Sequence, residues 1–208
     1  MAASLKGQNI AGLYALMAAN LAVFYGVVQH DAILGGNWAE TARQLGEAVP
    51  AGLGLALTGV LNAQLSPEAK ARIVFLRWRD PLPGAEAFTK HAKEDPRVDV
   101  AALEAACGPL PVTAREQNAL WYRLYKSVGA DPSVIQVHRA FLFTRDYACL
   151  ALFTCAVLGV AGFVQIPSTR TALGYFALLV AQFLLARRAA RNHGVRFVTT
   201  VLALKSAG

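Results

Sequence analysis

IAGLYALMAANLAVFYGVV, the run from Ile10 to Val28, carries no charged side chain, and its one amide is Asn20. As a helix rising about 1.5 Å per residue it covers roughly 28 Å, close to the ~30 Å hydrocarbon core of a bilayer. A cleaved signal peptide fits less well, because Lys6 alone is a thin basic lead-in and the apolar run is long. The chain as a whole agrees with a membrane reading. Of its 208 residues 55% are apolar and 16% charged, and its mean hydropathy is +0.39, values that belong to membrane chains rather than to a soluble domain.

Outward from that run the pattern repeats. A first transmembrane helix over 9–30 leads into a connector, 31–48, with Asp31, Glu40 and Glu47 against Arg43 and with Trp38 suited to an interface. A second span over 49–65 is short and opens on Pro50, tolerated in a first helical turn. Residues 66–145 form a polar block. A third span over 146–164, a turn over 165–170, a fourth span over 171–187 and a basic tail over 188–208 complete the chain. The fold class expected is therefore an all-α integral membrane protein, four transmembrane helices as two hairpins with a helical cytoplasmic insert between spans 2 and 3.

Charge placement orients it. The block holds twelve Lys and Arg, the tail after Ala186 five and the N-terminus one, against one in each opposite connector. Cations collect on the cytoplasmic side of a span, so block and both termini are expected in the cytoplasm and the chain in a bacterial inner membrane.

Local signals divide the block into short helices. Ser66-Pro67-Glu68 caps a helix expected to carry the next basic-aromatic run as far as Arg79, before Asp80-Pro81-Leu82-Pro83-Gly84 stops it. Asp99 caps a helix closing at Gly108, and Thr113 with Glu116 opens another that closes near Gly129. In that last helix Leu120, Trp121, Leu124, Tyr125 and Val128 share an apolar face, with Arg115, Arg123 and Lys126 off it. From Asp131-Pro132 nothing interrupts a helix of about 50 Å through Val164.

Small residues mark where spans approach one another. Gly52, Ala56, Gly59 and Ala63 recur on one helical face, and Gly159 and Gly162 lie in the third span. Lipid gives helices no hydrophobic reason to associate, so close backbone packing at small residues carries that task. Asn20, Thr58 and Asn62 are the polar side chains expected to bond between helices or to line a pore.

No glycine-rich phosphate loop, zinc motif or nucleophile elbow occurs; Cys107, Cys149 and Cys155 have no ligand spacing and the four histidines no repeat. No catalytic residue, metal ligand or cofactor is expected, and no enzyme. Two non-catalytic readings stand side by side, ligand recognition and, favoured for the first run because it starts one turn past a span, a membrane belt. Arg72, Arg77, Trp78 and Arg79, with Trp121, Arg123 and Lys126, combine guanidinium groups for phosphates with rings for bases; the competing reading of the first run is a head-group belt in which rings sit at the interface and cations reach past it.

This layout, small and multi-span with the basic cytoplasmic segment around Arg72–Lys126, resembles the membrane components of prokaryotic anti-phage systems, the Hailong type first, Kiwa and CBASS membrane effectors less closely. The resemblance implies an oligomeric channel or membrane-damaging protein controlled by a nucleotide or DNA oligomer that a partner enzyme makes. The expected partners are the lipid bilayer, further copies in a homo-oligomer taken as a tetramer, a nucleotide or short single-stranded DNA, and a soluble protein. In the alternative, a membrane-anchored scaffold recruits that soluble protein without conducting ions.

Overall fold

Caps written into the sequence set most of the helix starts in the polar block. The computed structural model describes residues 7–30, 33, 35–36 and 49–207, and no strand occurs among them. After a 3-10 turn at Gly7–Asn9 come α1 (Ile10–Val28), α2 (Val49–Gln64), α3 (Pro67–Phe75), α4 (Val100–Cys107), α5 (Ala114–Val128), α6 (Pro132–Gln165) and α7 (Thr169–Ser206). Between α3 and α4 a 3-10 turn, Pro83–Glu86, runs into a π-helical turn, Ala87–His91. Trp38 and the connector charges Asp31, Glu40, Arg43 and Glu47 lie outside the described residues.

Among the described residues three helices are long and apolar enough to cross a membrane: Gly7–Val28, Pro132–Gln165 and Thr169–Ser206. Among the described residues the chain is thus all-helical, with the makings of a membrane protein. The helix expected as the second span, α2, has 16 residues, a rise of about 24 Å, which is short of the usual hydrocarbon thickness. The basic tail does not leave the helix; α7 continues through Arg187, Arg188 and Arg191 to Ser206, 38 residues in all.

Contacts divide the chain into two units. One takes in the described parts of Met1–Asn9, Ser66–Arg145 and Arg187–Gly208, the other Ile10–Leu65 and Asp146–Ala186. In the second, the apolar unit, Met17 and Phe24 of α1 meet Leu150, Cys155 and Leu158 of α6 and Ala172, Tyr175 and Leu179 of α7. Gly159 and Gly162 let α6 and α7 close: a Cβ at Gly159 would stand 2.9 Å from Phe176 Cδ2, and one at Gly162 3.1 Å from Tyr175 Cδ1. A Cβ at Gly59 would stand 3.7 Å from Met17 Cε, whereas Ala56 and Ala63 are exposed and the surroundings of Gly52 lie outside the described residues.

The polar unit is built around Val74, Phe75, Phe88, Leu103, Trp121, Leu124, Val134, Phe141, Phe197, Val198, Val201 and Leu202, all buried. Ser66 accepts from the Ala69 N–H, Asp99 from Ala102 and Thr113 from Glu116, so the three caps satisfy helix N-termini that would otherwise leave donors unpaired. Gly108 closes α4 at φ 78°, a left-handed value that costs glycine nothing. One boundary differs from the sequence reading. The helix from Ser66 ends at Phe75 rather than Arg79, with Leu76 at φ 53° and its N–H on the Arg72 carbonyl, because tertiary contacts of Arg72 and Arg77 hold the following turn.

Candidate functional site

Those contacts shape the segment from Leu76 to Leu82. Arg72 reaches forward from α3, its Nε donating to the Trp78 carbonyl at 3.3 Å while its guanidinium lies 3.7 Å from Glu68. Arg77 turns the other way and pairs with Glu86 at 2.5 Å, its guanidinium carbon 5.7 Å from the Phe75 ring centre. Leu76 at φ 53° and Asp80 at φ 45° flank the turn, each in a region that side-chain-bearing residues adopt at a cost of roughly 1 kcal/mol or more. The result is a braced turn that holds Trp78 out in solvent, 85% exposed. An indole left there forgoes the burial that makes tryptophan stabilising.

The opposing wall is the first turn of α5. Its position is fixed by Gln117, a buried amide whose Oε1 accepts from Phe88 N, Thr89 N and Thr89 Oγ1 at 3.0, 3.1 and 3.1 Å while Nε2 donates to the Val112 carbonyl at 2.9 Å. Both ends of the amide are thereby engaged, and α5 is locked onto the π-helical turn. At Gly84 the approach is so close that a Cβ would sit 2.6 Å from Asn118 Oδ1 and 2.7 Å from Trp121 Cε3.

Between these walls lies a concavity of about 430 Å³ lined by Arg72, Trp78, Arg79, Asp80, Arg115 and Asn118, among others. Three of the residues read as ligand-binding from sequence, Arg72, Trp78 and Arg79, therefore meet. Arg72 is engaged with Glu68 and the Trp78 backbone, whereas Arg79 and Arg115 make no ion pair or hydrogen bond among the described residues. Two uncommitted guanidinium groups beside an exposed indole suit an anionic group joined to a planar one.

The remaining ligand candidates are placed elsewhere. Arg77 is committed to Glu86. Trp121 is a core residue, 6% exposed, with Phe197 edge-on at 5.1 Å and Tyr125 stacked at 5.9 Å, so it offers no face to a base. Arg123 and Lys126 are exposed on α5 but do not line the concavity, and Lys126 Nζ rests 5.3 Å from the Tyr122 ring centre. Arg115, Asn118 and Asp80 escaped the sequence reading. The capping box at Thr113 already placed Arg115 in the exposed first turn of a helix, which was the available signal.

Of the polar residues in the apolar unit, Asn20 donates to the Leu16 carbonyl one turn back at 2.8 Å, and Gln182 donates to the Tyr147 hydroxyl at 2.6 Å. Asn62 is buried with Oδ1 unpartnered. The side chain of Thr58 lies outside the described residues. Among the described residues no three potential metal ligands converge. No protein-family model, no curated protein and no solved structure matches the chain.

Proposed function

We propose that the chain is a membrane effector whose polar unit binds a phosphate-bearing ligand, a nucleotide or short DNA oligomer, and whose apolar unit forms, with further copies, an ion path that this ligand gates. In a bacterial inner membrane such a path dissipates the membrane potential, the outcome an anti-phage effector requires. The observation that carries the reading is the meeting of Trp78, Arg79 and Arg115 around one concavity, with both cations uncommitted.

Four crossings belong to this proposal. Supporting them, α2 falls in the same unit as the apolar parts of α1, α6 and α7, and a span of about 24 Å is accommodated by local bilayer thinning at a modest cost per ångström. Asn62, buried with its carbonyl oxygen unpartnered, is the polar group of α2 that an opened packing of the helices would turn to water in the ion path. Four helices are few to enclose a pore alone, so the path is assigned to a closed oligomer, taken as a tetramer.

The test is ion flux from proteoliposomes, with and without nucleotides or short single-stranded DNA. Ligand-dependent flux that Arg79→Glu with Arg115→Glu abolishes is the expected result. Binding without flux, from a monomer by crosslinking, overturns conduction and leaves a membrane-anchored recruiter. Flux in every condition, unchanged by ligand or by charge reversal, overturns the gating site.

A further inference from the structure

The concavity also holds a group that an anion site has no use for. Asp80 lines it with no ion pair or hydrogen bond among the described residues, while the other carboxylate there, Glu68, is occupied by Arg72 at 3.7 Å. A carboxylate beside a bound phosphate is repulsive, so its presence asks for donors on the ligand. Asp80 follows Trp78 by two residues on a turn held from both sides, by the Arg72 bond to the Trp78 carbonyl and by the Arg77 pair with Glu86. Trp78 and Asp80 line the same concavity, so a ring stacked on the indole has this carboxylate within the same site.

We infer that this site reads a guanine base: Trp78 stacks on the ring, the Asp80 carboxylate accepts from the base edge, and Arg79 and Arg115 take the phosphate. Guanine alone among the common bases presents two adjacent donors, N1–H and the N2 amino group, which match the two oxygens of a carboxylate. Adenine and cytosine pair one amino group with a ring acceptor, and that acceptor would face the carboxylate with like polarity. Bidentate pairing to a base edge discriminates by roughly 1–3 kcal/mol, or about five- to 150-fold. Asn118, on the α5 wall, supplies an amide whose donors and acceptor suit the remaining ring edge. The inference rests on the proposed function only for the phosphate-binding site, and it adds which base that site accepts.

Calorimetric titration of the full chain in nanodiscs with GMP, IMP, AMP, dGMP and ribose 5-phosphate tests it. GMP is expected to bind about tenfold or more tightly than AMP, with IMP, which lacks the N2 amino group, between them. Asp80→Asn is expected to erase the order while leaving phosphate binding, and asparagine tolerates the positive φ of position 80 well. Arg79→Gln with Arg115→Gln should weaken all five alike. Equal affinity for GMP and AMP, or ribose 5-phosphate binding as well as GMP, overturns base reading and leaves the anion site standing. A loss on going to dGMP as large as on going to AMP assigns Asp80 to the ribose hydroxyls and overturns it as well. Absence of binding by all five overturns the inference together with the nucleotide site of the proposed function.

Discussion

Asn9 and Arg139, 130 positions apart in sequence, are joined twice: Asn9 Nδ2 donates to the Arg139 carbonyl at 3.0 Å, and Arg139 Nε donates to Asn9 Oδ1 at 3.4 Å. At the other end of the chain the Asp99 N–H donates to Ser206 Oγ and Arg97 to Thr199 Oγ1, both at 3.2 Å. The segment just before α1, the polar block and the end of α7 therefore belong to one folded body, and under the proposed membrane arrangement that body lies on one side. If α1 crosses from Asn9, the chain must return before Ser66, so a second crossing falls within 29–65, where α2 is the helix at hand. In intact spheroplasts, tags at both ends and the thiol of Cys107 should resist impermeant reagents, while a reporter inserted between residues 35 and 36 reacts. Labelling of Cys107 from outside while the tags at both ends stay protected would contradict the parity.

Replacing Gln117 by leucine should loosen the polar unit where α5 meets the π-helical turn. The substitution removes one acceptor shared by Phe88 N, Thr89 N and Thr89 Oγ1 and one donor to Val112 O. Buried donors left unpaired cost about 1–3 kcal/mol each. The hydroxyl can rotate away, so a total loss of about 3 kcal/mol is expected. Hydrogen exchange at the amides of Phe88 and Thr89 should accelerate by two orders of magnitude or so, and protection unchanged at both would remove Gln117 from this role.

The caps were legible in the sequence because each is encoded within four residues: Ser66 with Ala69, Asp99 with Ala102, Thr113 with Glu116. The uninterrupted helix from Pro132 to Gln165 was legible for the same local reason. The end of α3 was not, since Arg72 and Arg77 fix it through Trp78 O and Glu86, neither of which a helical period reveals. Trp121 lay on the apolar face of α5 and beside cations at once; its burial against Phe197 comes from α7, across more than seventy residues. The basic tail continues as helix for a similar reason, with Gly194 admitting Phe75 Cζ and Phe141 Cε2 to within 2.8 and 3.0 Å of where a Cβ would be, while Phe197, Val198, Val201 and Leu202 are buried. Arg115 and Asn118 joined the site only because Gly84 lets α5 approach.

Acid should destabilise the polar unit through His91. Its side chain is 4% exposed, its ring nitrogens have no hydrogen bond, and Nε2 stands 3.9 Å from Glu86. Burial holds the imidazole below its ordinary 6.5; Glu86 and Glu94 oppose that, and Lys90 and Arg77 add to it. The unfolded chain then binds a proton below about 6.5 that the folded chain resists, so stability is complete above that pH and falls as pH drops from there toward the folded value. Asp95 behaves oppositely. Its hydrogen bond from Arg97 holds the carboxyl well below 3.8, so its contribution is lost only under more acid conditions. Between pH 7 and 5 the Tm of the parent should fall further than that of His91→Gln, and parallel curves would reject the assignment.

Two glycines separated by a turn make a matched test of helix packing in the apolar unit. At Gly159 an added methyl would stand 2.9 Å from Phe176 Cδ2, whereas at Gly174 nothing lies within 4 Å. Alanine is the better helix former by about 0.8–1 kcal/mol at either position. At Gly174 that gain is unopposed, so Gly174→Ala should raise the unfolding temperature slightly. At Gly159 the ring of Phe176 must move, and overpacking costs about 1–3 kcal/mol, which exceeds the propensity gain. Gly159→Ala should therefore unfold earlier in detergent, and Gly159→Ala combined with Phe176→Leu should recover much of the loss by giving the methyl room. Equal effects at both glycines would mean that α6 and α7 do not pack at Gly159 in the membrane.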